Sequence, residues 1–149
     1  MRALILLIAT LVLTPSASAQ QPTAAENTGI VLRAVDGRTG KPLENQHLLL
    51  FGGPSVQAAR EHQKQYEVVT GTGGIAALDL SADTRWLQVW VDWHVLCATK
   101  NPIFSVADIL ATGVNAPNAC GSRSAQEKTT PGHLVVFARS KRFWEKMRQ

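Results

Sequence analysis

Trp86-Leu87-Gln88-Val89-Trp90-Val91-Asp92-Trp93-His94-Val95-Leu96-Cys97 is the stretch that decides the fold. Its side chains alternate. Leu87, Val89, Val91, Trp93, Val95 and Cys97 fall on one side, while Trp86, Gln88, Trp90, Asp92 and His94 fall on the other. A period of two is the mark of a half-buried β-strand, so the apolar set is expected in the core. The opposite face then presents a stripe of aromatic and hydrogen-bonding groups at roughly 7 Å intervals.

Other short apolar runs surround this strand. Residues 30–35 form one, followed by Asp36-Gly37-Arg38-Thr39-Gly40-Lys41-Pro42, a loop with two glycines available for positive φ. Residues 47–51 form a second, closed by Gly52-Gly53-Pro54. Residues 55–65 are polar and compatible with either a loop or a short helix. Residues 66–70 and 75–80 flank Gly71-Thr72-Gly73-Gly74, a pattern that predicts a hairpin. A Pro131-Gly132 turn precedes the last strand, residues 134–138. One helix interrupts: Ser105 is its cap, Phe104 and Ile109 occupy staple positions, and Gly113 stops it, giving residues 106–112. Short strands punctuated by glycine and proline, with no long helical period, predict an all-β sandwich.

The chain has 149 residues, and that length predicts one domain. Arg2, the apolar run 3–13, Pro15 and Ala17-Ser18-Ala19 make residues 1–19 an export signal peptide. The apolar run is too short for a membrane span, which needs about 20 residues. Residues 20–28 read as a polar leader and 29–149 as the domain. The protein is therefore expected to be secreted or periplasmic, without stable membrane insertion. The formal charge of +4 is concentrated at the end. Residues 139–149 carry Arg139, Lys141, Arg142, Lys146 and Arg148 against Glu145, whereas residues 20–138 hold nine basic and ten acidic groups. A basic tail on a nearly neutral body does not predict a nucleic-acid surface.

Asp36-Gly37-Arg38-Thr39-Gly40-Lys41-Pro42-Leu43 resembles the opening of carboxypeptidase-regulatory-like domains, in which the first strand ends in an Asp-x-x-Thr-Gly-Lys-Pro-Leu-type turn. Thr70, Gly74, Ala76, Leu78 and Leu80 match the family's following pattern, although Gly73 stands where an acidic residue is common. The resemblance covers about residues 29–95. It implies a seven-stranded, transthyretin-like (prealbumin-like) Greek-key sandwich, here with one inserted helix and a C-terminal helical turn. Such domains usually act as accessory or binding modules, so no catalytic residue is carried over. Two enzyme classes of similar topology do not fit. One tyrosine, Tyr66, cannot supply the two that hold iron in intradiol dioxygenases, and the chain lacks the C-terminal Tyr-Arg-Gly-Ser of hydroxyisourate hydrolases.

Cys97 and Cys120 enclose the helix, and in an exported protein such a pair predicts a disulfide. No metal-ligand spacing is present, and no cofactor is expected. The expected function is a non-enzymatic binding or structural module for a protein partner, using Trp86, Gln88, Trp90, Asp92 and His94. The alternatives are carbohydrate binding on the Trp86/Trp90 face, or a small hydrolase in which Asp92 orients His94. A monomer or weak homo-oligomer is expected. Phe143, Trp144 and Met147 share one face of a final turn, so the C-terminal segment is itself a candidate cover for the stripe.

Overall fold

The computed structural model describes residues 28–91, 94–98, 101–121 and 127–140. The expected signal peptide, most of the leader, the C-terminal turn, Asp92 and Trp93 lie outside the described residues.

Two sheets face one another. The first contains β1 (Thr28–Asp36), β4 (Ile75–Leu80), β6 (His94–Leu96), β8 (Val114–Asn115) and β9 (His133–Ser140), ordered β4-β1-β9-β6. β6 and β8 lie along the same edge of β9, opposite its parallel partner β1. The second sheet is antiparallel, ordered β3 (Lys64–Val69), β2 (His47–Gly53), β5 (Trp86–Val91) and β7 (Ile103–Ser105). The all-β sandwich is as expected, with nine strands among the described residues where seven were expected. Three of the nine, β6, β7 and β8, have only two or three residues.

Between the sheets, Leu32, Leu48, Leu50, Leu80, Leu87, Val89, Leu134 and Val136 are fully buried. Burying each such side chain contributes about 1.5–3 kcal/mol before entropy is counted. Helix α2 (Val106–Thr112) caps this core with Val106 and Ile109. The Ser105 hydroxyl accepts from the Asp108 amide at 3.3 Å, and Gly113 ends the helix at φ 75°, as the sequence predicts.

Residues 55–65, open between loop and helix, include α1 (Val56–Arg60), capped by Ser55. Two other expectations are corrected. The strand drawn through residues 86–97 is really two strands in different sheets, β5 and β6, and the core-facing parity changes between them. Leu87, Val89 and Val91 face the core, but in β6 it is Leu96 that packs against it. Cys97 belongs to a second cluster with Val35, Val135 and Phe137. Strict alternation looks identical in one long strand and in two strands joined by a sheet switch, so periodicity does not reveal the break.

The predicted hairpin around Gly71–Gly74 is also absent. β3 pairs with β2 and β4 pairs with β1, so residues 70–74 cross from one sheet to the other. That crossover runs beside the β1–β2 crossover, and buried Thr70 joins them. Its hydroxyl donates to the Leu43 carbonyl at 2.6 Å and accepts from the Gln46 amide at 2.9 Å. The Thr70 backbone bonds Asn45 and Gln46. Gly74 adopts φ +70°, and a Cβ there would stand 2.4 Å from the Ala34 carbonyl oxygen, so only glycine fits the corner.

The β1–β2 turn is organised by Asp36, whose Oδ1 accepts from the Thr39 amide (2.8 Å), the Thr39 hydroxyl (2.9 Å) and the Arg38 amide (3.0 Å). Burial acts to raise its pKa, but these hydrogen bonds outweigh it and hold the carboxyl below the ordinary carboxylate value.

Thr70→Val should leave two half-buried backbone groups without these partners and lower stability by about 1 kcal/mol or more in urea unfolding. A loss below measurement error would remove Thr70 from this role. Because the folded pKa of Asp36 is lowered, its stabilisation is complete above the unfolded value near 4 and fades as pH falls through the folded value. The melting temperature of Asp36→Asn should therefore fall less between pH 5 and about 2 than that of the parent protein. Parallel curves would contradict the assignment.

Candidate functional site

The outward face of the second sheet carries the predicted stripe, since Leu49 pairs with Trp90, Phe51 with Gln88 and Gly53 with Trp86. Helix α1 packs against β2 and β5 over this face. Its closest approach is at Gly53, where a Cβ would stand 2.5 Å from the Ala58 Cβ. Gly53 and the buried Ala58 and Ala59 are thus one packing solution, with small residues on both sides, whereas a Cβ on Gly52 would meet Thr84, Tyr66 and Leu87 on the other face.

α1 ends in a two-bond C-terminal motif, with the Gln63 amide donating to Ala58 and the His62 amide to Ala59. The left-handed position is held by His62 at φ 56° rather than by glycine. A side chain there costs about 1–2 kcal/mol. Its imidazole stacks on Phe51, with centroids 3.8 Å apart and planes at 17°. Trp90 stands 6.1 Å from Phe51 and 6.0 Å from His62, nearly perpendicular to both. Being equidistant, Trp90 lies beside this stack rather than on it. The two rings buttress one side of an indole that is 44% exposed. Edge-on aromatic contacts contribute about 0.5–1.5 kcal/mol each.

The predicted stripe does not form one open surface. Gln88 is 6% exposed, and its Oε1 is buried without a hydrogen-bond partner. Trp86 and Trp90, on either side of it, line different clefts. Trp86 joins Arg85, Val106, Ala107 and Leu110 around about 310 Å³. Trp90 joins His94, Val95, Leu96 and Asn101 around about 270 Å³. His94 comes from β6 of the other sheet, so this second cleft lies where the chain switches sheets. Of the five predicted residues, Trp90 and His94 are brought together, Trp86 is separated, Gln88 is withdrawn and Asp92 lies outside the described residues. Phe51 and His62 were missed. A histidine in a glycine-type cap position has no sequence signal, and the neighbouring helix was itself undecided.

Cys97 and Cys120 form the predicted disulfide. Cys97 is 3% exposed, and a Cβ on Gly37 would stand 2.3 Å from its sulfur, so that end of the bridge is enclosed, while Cys120 is half-buried. Closing a loop of this length stabilises by roughly 3.5 kcal/mol in the chain-entropy model.

A second polar cluster joins Tyr66, Ser81 and Thr84, whose hydroxyls lie 2.7–2.9 Å apart. Lys64 donates to Ser81 at 3.0 Å and also to Asp83. The arrangement is reminiscent of a serine–lysine pair, but the Lys64 hydrogen bond, followed by that of Ser81, holds the Asp83 carboxyl below its ordinary value. These groups tie β3 to the β4–β5 turn.

Among the described residues no group of three or more His, Cys, Asp or Glu could hold a metal, and no helix is long and apolar enough to cross a membrane. No protein-family model, no curated protein and no solved structure matches the chain.

His62→Gly should relieve the backbone cost while removing the buttress. Its melting temperature should change by no more than a few degrees, while the near-UV circular dichroism from Trp90 weakens. An unchanged aromatic spectrum would show that His62 does not orient the indole.

Proposed function

We propose that this chain is an exported, non-enzymatic binding module that captures a protein partner through the Trp90–His94 cleft. The observation that carries this reading is Trp90 itself, large, 44% exposed and braced by Phe51 and His62. Tryptophan is enriched among interface hot spots, and a side chain ordered before binding loses less entropy on contact. The cleft, about 270 Å³, is just below the usual range for drug-sized ligands, roughly 300–1,000 Å³. It suits one side chain or one ring rather than a cofactor. The side-chain amide of Asn101 beside the indole favours a second reading, a neutral sugar ring.

Export rests on the signal-like residues 1–19 and on the disulfide, a bond typical of oxidising compartments. Kinship with the carboxypeptidase-regulatory-like sandwiches, including their Greek-key order, is part of the same proposal. It is supported by the Asp36 turn and by the corner built from Thr70 and Gly74.

Immobilised protein offered an envelope extract should retain a defined partner. Trp90→Ala should weaken that partner about 30-fold or more, equivalent to at least 2 kcal/mol, and remain folded. Trp86→Ala should bind normally. Equal binding by all three proteins would overturn the assignment to this cleft, and transfer of the same pattern to a glycan array would select the sugar reading.

A further inference from the structure

The cleft beside Trp86 differs in kind from the one beside Trp90. In the row Gly53–Trp86–Ser105, formed across β2, β5 and β7, the indole stands between a residue with no side chain and a small one. That leaves open the space of about 310 Å³ walled by Trp86, Val106, Ala107 and Leu110. Leu110 is 40% exposed, so part of this apolar wall stands in water. Arg85 lines the same cleft, and its backbone is fixed from both sides. Its amide donates to the Gly53 carbonyl and its carbonyl accepts from the Val106 amide, both at 2.9 Å. The second bond joins Arg85 directly to the first turn of α2, which supplies most of the apolar wall. Among the described residues the Arg85 guanidinium has no carboxylate partner. Asp83, two residues away, is engaged by Lys64. Asp108 lies about 150° around α2 from the side that carries Val106, Ala107 and Leu110. An unpaired cation thus borders a solvated apolar wall.

We propose that this cleft is a second ligand site and that it takes a small aromatic carboxylate. The ring lies against Trp86 and Leu110, and the carboxylate meets the Arg85 guanidinium. An aromatic ring gains from contact with an indole beyond the area it buries. A guanidinium presents parallel N–H donors that match the two oxygens of a carboxylate. Ser105 adds a donor: its hydroxyl oxygen accepts from the Asp108 amide, which leaves its proton for the incoming oxygen. One guanidinium and one hydroxyl suit a single negative charge rather than the near-double charge of a phosphate monoester. At about 30 Å³ for each water, the cleft has the volume of about ten waters, the size of one ring with a short acid chain. The site does not depend on the reading of the Trp90–His94 cleft, since the two clefts share no described lining residue.

The test titrates 3-phenylpropionate into the full mature chain labelled with 5-fluorotryptophan. Binding in the millimolar range is expected of so small a molecule. The acid should move the Trp86 fluorine resonance, identified by its loss in Trp86→Phe, and leave that of Trp90 in place. 3-Phenylpropanamide, of the same shape without the charge, should bind about tenfold more weakly. In Arg85→Gln, an exposed position whose exchange should leave the melting temperature unchanged, the acid should bind no better than the amide. Leu110→Asn, also exposed, should weaken acid and amide alike. A stationary Trp86 signal, or Trp86 and Trp90 signals that move together, would overturn the site. Equal binding of acid and amide by the parent protein, or an acid that keeps its advantage in Arg85→Gln, would overturn the carboxylate. Binding of a peptide that ends in phenylalanine without binding of the free acid would overturn the small-molecule assignment.

Discussion

The two chain crossovers at one end of the sandwich are tied together around one buried residue, Thr70. Thr70 offers its proton to Leu43 and its lone pair to the Gln46 amide, both in the neighbouring crossover, while its own amide and carbonyl engage the same segment. Both crossovers carry the chain between sheets, so this contact determines how the sheets are superposed. The registers of β1 with β4 and of β2 with β3 are set from the same corner. Replacing the side chain by one of the same shape but no hydroxyl removes two of these bonds and leaves the backbone ones in place. Apolar burial would still drive collapse, but it does not distinguish one superposition from another.

Those registers propagate outward to the candidate site. β2 aligns Phe51 opposite Gln88 and Gly53 opposite Trp86, which leaves Trp90 one step further along. Gly53 admits α1, and the end of α1 delivers His62 onto Phe51. Trp90 therefore owes its orientation to a helix that begins some thirty residues upstream. The exposed indole is the outermost part of a packed series rather than an isolated surface residue.

Much of the sandwich was legible in the sequence because local chemistry wrote it there. Ser105, Phe104, Ile109 and Gly113 delimit α2 by capping and contact, which are properties of neighbouring residues. The disulfide was legible from compartment and spacing. What could not be read depends on pairing between distant segments. The run from Trp86 to Cys97 alternates throughout, yet its two halves serve different sheets, and glycines at 71, 73 and 74 serve a crossover as readily as a hairpin. The candidate site was half legible for the same reason. Period two placed Trp90 and Gln88 on one face, but only the position of α1 makes one exposed and the other buried.

The parallel pairing of β1 with β9 has a consequence for the order of events during synthesis. Val31 is matched with His133, so the first strand of the domain waits for the last one to be made. β9 is an interior strand with partners on both edges, and until it arrives β1 and β6 have no common neighbour. Contacts this remote in sequence make folding slow. The first sheet is therefore completed only when nearly all of the domain has been made, whereas the second sheet needs nothing beyond β7.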